Sequence, residues 1–193
     1  MIKNWKKTNE TGLYIPIDIL APNLPSFDKI EKSLREEFLK GKKFGIAWEY
    51  NGVEISILDK DGNVEGFPTS DLQYIVAIFH NSKMYPNPNN AAIFNRDGKL
   101  NKILQVPKFK SEMILKELEK NNDTNPPINN NLIYFYKYSR YANNLGVEID
   151  IIDINYNLEY SESQILDPDT FEFIDFLKSR FDRDYYWNEK HKP

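Results

Sequence analysis

Apolar residues in this chain recur at helical spacing in some stretches and at alternate positions in others, and each change of spacing marks an element. Over residues 25–41, "PSFDKIEKSLREEFLKG", the residues Phe27, Ile30, Leu34 and Phe38 fall on one helical face. Ser26 suits the cap of that helix, Asp28 its first turn and Gly41 its end. In "KKFGIAWEY" the period drops to two, with Phe44, Ile46, Trp48 and Tyr50 on one side of a strand. Asn51-Gly52 follows, the dipeptide that best tolerates the two positive φ angles of a tight hairpin. Val53, Ile55 and Ile57 then point inward and Glu54 and Ser56 outward, before "DKDGN" turns the chain into "VEGF". A helix followed by a three-stranded meander is the unit expected.

The order recurs. "KSEMILKELEKNN" places Ile114, Leu115 and Leu118 on one helical face, with Ser111 as cap. The Asn- and Pro-rich "NNDTNPPINNN" reads as an exposed loop. "LIYFYKYSRY", "VEIDIIDI" and "NLEYS" supply a second meander, its first turn a longer loop through Asn143 and Asn144. Residues 52–65, "GVEISILDKDGNVE", and 146–159, "GVEIDIIDINYNLE", agree at eight of fourteen positions, 94 residues apart. An internal duplication is therefore expected. Strands "DLQYIVAIFH", "NAAIFN" and "KLNKILQVP" lie between the copies, with "NRDG" as a hairpin turn. At the end, "DPDTFEFIDFLKSRF" has Asp167 as cap, Pro168 at the first helical position, and Ile174, Leu177 and Phe181 on an apolar face. The fold class expected is α+β: two related helix-plus-antiparallel-meander units, about 26–67 and 110–161, in one domain over 1–193, with a C-terminal helix.

Composition narrows the function classes. The 193 residues are 40% hydrophobic and 28% charged, with twelve Tyr, twelve Phe and three Trp to fill a core. A net charge of −4 disfavours nucleic acid phosphates and anionic lipid as partners. The absence of cysteine excludes disulfides, thiolate chemistry and cysteine-bound zinc. "MIKNWKKTNETG" lacks the apolar stretch of a secretory signal, and the longest apolar run, residues 74–79, is too short to span a bilayer. A soluble cytoplasmic protein is expected, and the heavy use of Asn, Lys and Ile accords with an AT-rich bacterial genome.

The charges are segregated. Between Gly146 and Asp175 stand nine acidic residues and no Lys or Arg; removing those nine negative charges from a chain of net charge −4 leaves a remainder of +5. If the segment stays together on folding, it forms a negative face that would steer a basic protein partner. Contacts are expected from Glu148, Asp150, Glu159, Tyr160 and Glu162. Glu148 and Asp150, about 7 Å apart along a strand, together with Asp153 could instead hold Mg²⁺ for hydrolysis of a phosphodiester. No lysine or histidine accompanies them in that stretch, and a solvated acidic face accounts for them without a metal.

Other motifs lead less far. "DKDGN" opens like a calcium loop, but its glycine stands fourth instead of sixth, and Ser70 occupies the twelfth place where a bidentate glutamate belongs. "YFYKYSRY" interleaves aromatics with Lys137 and Arg140, as a base-stacking platform does, yet an aromatic strand in a sheet has the same composition. His80 and His191 stand apart, and no nucleophile elbow, P-loop or dinucleotide fingerprint is present. Neither catalytic residues nor a cofactor is assigned. Residues 86–100, "PNPNNAAIFNRDGKL", carry a Pro-Asn-Asn turn, a strand, Asn-x-Asp-Gly and a second strand. That segment resembles one in small bacterial proteins similar to the immunity proteins encoded beside polymorphic toxins. The resemblance implies a protein that neutralises a cognate toxin, possessing no transferable site residues. A metal-dependent hydrolase and a self-associating module are the alternatives.

Overall fold

Hairpin chemistry and alternation build most of this chain as strands. The structure, a computed structural model, describes residues 1–19, 30–112, 115–116, 133–142, 146–156, 160–181 and 184–187. It contains β1 (Lys3–Asn9), β2 (Tyr14–Pro16), α1 (Lys32–Phe38), β3 (Phe44–Tyr50), β4 (Val53–Ile57), β5 (Asn63–Pro68) and β6 (Tyr74–His80). These are followed by β7 (Ala91–Asn95), β8 (Leu100–Ile103), β9 (Tyr134–Ala142), β10 (Glu148–Asn155), β11 (Tyr160–Leu166), β12 (Phe173–Phe181) and β13 (Asp184–Trp187). Three antiparallel sheets result, with strand orders β2-β1-β3-β4, β5-β6-β7-β8 and β13-β12-β11-β10-β9. No helix among the described residues is long and apolar enough to cross a membrane.

The expected α+β class is thereby corrected to a mainly β architecture. The first unit is not a meander. β3 and β4 form the Asn51-Gly52 hairpin, but β5 leaves them to begin another sheet with β6. The second meander does form, as β9, β10 and β11, and it continues into β12 and β13. The duplicated strings occupy unlike places: the first makes β4, at the edge of a four-stranded sheet, and the second β10, inside a five-stranded one. They share a left-handed glycine, Gly52 at φ 77° and Gly146 at φ 73°, and each pairs antiparallel with the strand before it, but the strands that follow them join different sheets. A common turn requirement accounts for the likeness without a repeated fold.

Of the expected helices, the first forms over a shorter span and the C-terminal one does not form. α1 buries Phe38 alone, against the ring of Phe44 at 5.2 Å, and the start expected around Ser26, Phe27 and Asp28 lies outside the described residues. Gly41 closes it because the amide of Asn9, which donates to the Phe38 carbonyl at 3.1 Å, leaves no room for a Cβ there. Of the second expected helix, residues 110–112, 115 and 116 are described; Leu115 N–H donates to the Ser111 carbonyl at 3.1 Å. The C-terminal helix is a strand, β12. Asp167 caps a turn, accepting from Asp169 N–H and the Thr170 hydroxyl, each at 2.9 Å, and the chain then extends along β11.

One apolar cluster draws on all three sheets, with Trp5, Ile46 and Trp48 from the first, Ile75 to Phe79 from the second and Phe135, Ile152 and Ile154 from the third. Trp5 stacks on Trp48 at 5.5 Å, and the Trp48 indole N–H donates to the Arg96 carbonyl at 2.7 Å. Burying each large side chain stabilises the fold by about 1.5–3 kcal/mol. Side-chain hydrogen bonds fix how the sheets meet. Asn63 Oδ1 accepts from Phe44 N–H at 2.9 Å, tying β5 to β3, and the Tyr138 hydroxyl donates to the Pro68 carbonyl at 3.1 Å, tying β9 to β5.

Candidate functional site

Of the five residues expected to grip a partner, the four that are described do not form a surface. Asp150 and Glu162 are each 1% exposed, Tyr160 is buried, and Glu159 lies outside the described residues. Glu148 alone is open to solvent, and its carboxylate meets Arg140 at 3.3 Å. The reason is the phase of β10. Asp150 shares its face with Ile152 and Ile154, which pack into the central cluster.

Each buried acid is held by a loop. Asp150 accepts from the Ser70 N–H at 3.0 Å and the Ser70 hydroxyl at 2.9 Å, and competes with the Pro68 carbonyl for the single proton of the Tyr138 hydroxyl. Desolvation outweighs those bonds and raises its pKa, while burial and the adjoining carboxylate push Tyr138 well above the usual phenol value. Glu162 accepts from Ser111 N–H at 2.7 Å, Lys110 N–H at 3.0 Å and the Gln164 amide at 2.7 Å, and burial raises its pKa as well. Both carboxylates orient chain segments. The acidic exterior expected of them is corrected to a pair of interior anchors.

Asp153 points to the opposite face of β10 from Asp150 and accepts from the Ser163 hydroxyl. The triad Glu148, Asp150 and Asp153 therefore does not converge. Among the described residues no group of three or more His, Asp or Glu is placed to hold a metal ion.

The structure assembles a different site from segments far apart in sequence. Ile57 ends β4, Phe79 lies near the end of β6, Phe94 belongs to β7, and the turns 58–61 and 83–85 close around them. Together they line a cleft of about 560 Å³. Tyr85 stacks on Phe79 at 4.1 Å to form one wall. Leu58 and Met84 stand at the mouth, Met84 72% exposed. Charges surround the apolar floor: Lys60, Asp61 and Lys83, the last 3.4 Å from Asp61.

Asp59 shapes this cleft. It accepts from Asp61 N–H at 2.7 Å, Gly62 N–H at 3.3 Å and the Ser82 hydroxyl, while Ser82 Oγ accepts from Met84 N–H at 3.1 Å and Tyr85 N–H at 2.9 Å. One Asp–Ser contact thus fastens two turns that lie 23 residues apart. Desolvation opposes the charge on Asp59, but the Ser82 hydroxyl and the two backbone N–H groups overcome it and lower its pKa. Burial first, and then that negative charge, raise the pKa of Tyr85. Gly62 is obligatory, because a Cβ there would stand 1.9 Å from the His80 carbonyl oxygen.

A second, smaller cleft of about 290 Å³ lies among Tyr50, Gln73, Tyr74, Asn95, Arg96 and Asp97, with Arg96 over the Tyr50 ring at 5.2 Å. It is polar. The larger cleft combines an apolar floor, exposed apolar lips and a charged rim, the anatomy of a recognition site. Its one local trace in the sequence is the adjacent pair Ile57-Leu58, where the alternation of β4 breaks. No family model, curated protein or solved structure matches the chain.

Proposed function

We propose that this chain is a protein-binding module, an immunity protein that neutralises a cognate toxin by covering it, with the Leu58–Met84 cleft as its anchor point. The observation that carries the reading is an apolar cleft with two large hydrophobic residues exposed at its lips and fixed by a buried Asp59–Ser82 contact. Pre-shaped pockets that receive one buried aromatic or aliphatic side chain dominate the energy of protein interfaces. Rigid turns lower the ordering cost of that contact. The hairpin of β7 and β8, with Gly98 N–H bonded to the Asn95 carbonyl at 2.9 Å, is the segment that resembles immunity proteins, and Phe94 of that hairpin lines the cleft.

The test uses the product of the open reading frame adjacent to the one encoding this chain. Calorimetric titration should show stoichiometric binding, with Leu58→Asp and Met84→Asp each weakening it tenfold or more and Glu148→Lys leaving it nearly unchanged. Binding that survives both cleft substitutions would overturn the proposal. Metal-dependent activity on a phosphodiester, lost in Asp153→Asn, would replace it with the hydrolase reading.

A further inference from the structure

Sheets are vulnerable at their edges, and among the described residues five of the six edges are blunted or short for visible reasons. β2 has three residues and ends in Pro16. β8 is bulged, and its Lys102 bonds the Phe171 carbonyl and the Glu172 carboxylate. β9 is bulged, and at Phe135 the side chain of Asn90 occupies its free edge. β13 has four residues. β5 closes with Pro68 and meets β3 through Asn63. β4 differs: five residues, Val-Glu-Ile-Ser-Ile, in unbroken register with β3, holding no Pro, Lys, Gly or bulge. Val53 at its start is exposed, and its last residue, Ile57, is already part of the cleft wall.

The hairpin fixes which backbone groups are open. Asn51 and Gly52 have φ 52° and 77°, the two positive angles of a type I′ turn, so Tyr50 and Val53 exchange ladder bonds. Alternation then pairs Trp48 with Ile55 and Ile46 with Ile57, and leaves the N–H and C=O of Glu54 and Ser56 facing outward.

Charge specifies what would fit there. Glu54 lies directly opposite Glu49 on β3, a like-charge pair. Lys6 contacts Glu54, while Glu49 accepts only from the neutral Asn4 amide at 2.8 Å, and the Glu54 side chain remains 66% exposed. A strand added outside β4 would place a second cation on the free side of Glu54. Its side chains on the opposite face would continue the row Val53, Ile55 and Ile57 into the cleft.

We infer that β4 receives an extended segment of the partner protein as an added strand, with Lys or Arg beside Glu54 and apolar residues at the alternate positions, one of them entering the Leu58–Met84 cleft. This deepens the protein-binding proposal and rests on it. Main-chain bonds supply affinity in such an addition, and alternate side chains supply specificity.

The probe is a short fluorescent peptide alternating lysine and valine, with a glutamate–valine peptide as control. The lysine peptide should bind and shift the amide resonances of Glu54 and Ser56, and the glutamate peptide should not. Ser56→Pro removes one outward N–H and spares the β3–β4 ladder, as proline at an edge allows. It should weaken binding about fivefold or more. Glu54→Lys should weaken the lysine peptide about fivefold and admit the glutamate peptide. Unchanged melting temperatures establish that both variants are folded. No binding at millimolar peptide, or indifference to Ser56→Pro, overturns strand addition. If Leu58→Asp abolishes capture of the toxin product while Ser56→Pro does not, the cleft stands and the added strand falls; the converse removes the cleft and keeps the strand. A doubled mass in light scattering that reverts in Ser56→Pro would make the occupant a second copy of this chain and overturn the inference.

Discussion

Asn90 pairs with Phe135 as a neighbouring strand would. Its Oδ1 accepts the Phe135 N–H at 2.8 Å, its Nδ2 donates to the Phe135 carbonyl at 2.9 Å, and the same nitrogen donates to the Phe79 carbonyl at 3.0 Å. Both residues are buried, so this side-chain amide joins β9 to the second sheet, alongside the Tyr138–Pro68 contact. Asn90→Ala orphans the amide and carbonyl of Phe135 together, each costing about 1–3 kcal/mol when buried without a partner. Urea denaturation should show a loss of about 2–4 kcal/mol at unchanged slope. Asn90→Asp keeps the acceptor, loses both donations and buries a charge, and should do no better than alanine. A loss below about 0.5 kcal/mol in either variant would mean that the bridge is dispensable.

Asp150 holds Ser70 in the same way, across 80 residues. Asp150→Ala frees the Ser70 N–H and hydroxyl, while Tyr138 keeps the Pro68 carbonyl, so a cost of about 1–3 kcal/mol is expected. Asp150→Asn retains an acceptor and should cost less. Equal losses would assign the effect to packing.

Glu162 and Asp150 make stability depend on pH in an unusual direction. Their folded pKa values are raised by desolvation, so the native state binds protons more readily than the unfolded chain. Stability therefore rises on acidification through the window between the raised value and the ordinary carboxylate value. Asp59 works oppositely: its lowered pKa contributes stability above the ordinary value, and that is lost as pH falls through the folded one. Unfolding free energy should climb as pH drops through the raised values of Glu162 and Asp150 and fall again as it passes through the lowered value of Asp59. Glu162→Gln should flatten the climb. An unaltered slope in that variant would show that Glu162 does not titrate between the two states.

β12 separates what local sequence encodes from what it does not. Asp167 and Pro168 are a sound helix start, and Ile174 and Leu177 lie three apart, as on one helical face. Phe171 and Phe173 were equally readable as alternate strand positions and pack against the central cluster, while the pairing with β11 bulges at Ile174 and again at Leu177. As a result Ile174 is 60% exposed and Leu177 3%. Ile174→Lys should change stability by less than about 0.5 kcal/mol, whereas Leu177→Lys should cost more than about 3 kcal/mol, as burying an unpaired charge does. Similar costs at both positions would restore the helix.

Turn chemistry was legible because it is local. Asn51-Gly52 and Asn95–Gly98 each demand left-handed backbone, and each forms the hairpin expected. Sheet membership was not, since nothing in "DKDGN" says whether the next strand returns to β4 or departs. The phase of β10 was hidden for another reason. Ile151 on one face and Ile152 and Ile154 on the other are all buried, so alternation no longer tells inside from outside. Acids read as exterior were interior. The cleft, gathered from residues 57–61, 79, 83–85 and 94, leaves only the Ile57-Leu58 pair as a local trace.

Ser82 and Met84 allow the shape of that cleft to be tested apart from its surface. Ser82 Oγ donates to Asp59 and accepts from two backbone N–H groups, so Ser82→Ala releases both turns and strands a buried carboxylate lone pair. A cost of about 1–3 kcal/mol follows, with weaker partner binding as a consequence of the loosened wall. Met84 is 72% exposed at the lip, and Met84→Asp removes little buried area, so the melting temperature should stay put while affinity falls. Paired measurements of thermal unfolding and of affinity for the toxin product distinguish the two effects. If Met84→Asp binds as tightly as the unaltered chain, the lip makes no contact and the anchor must be sought elsewhere.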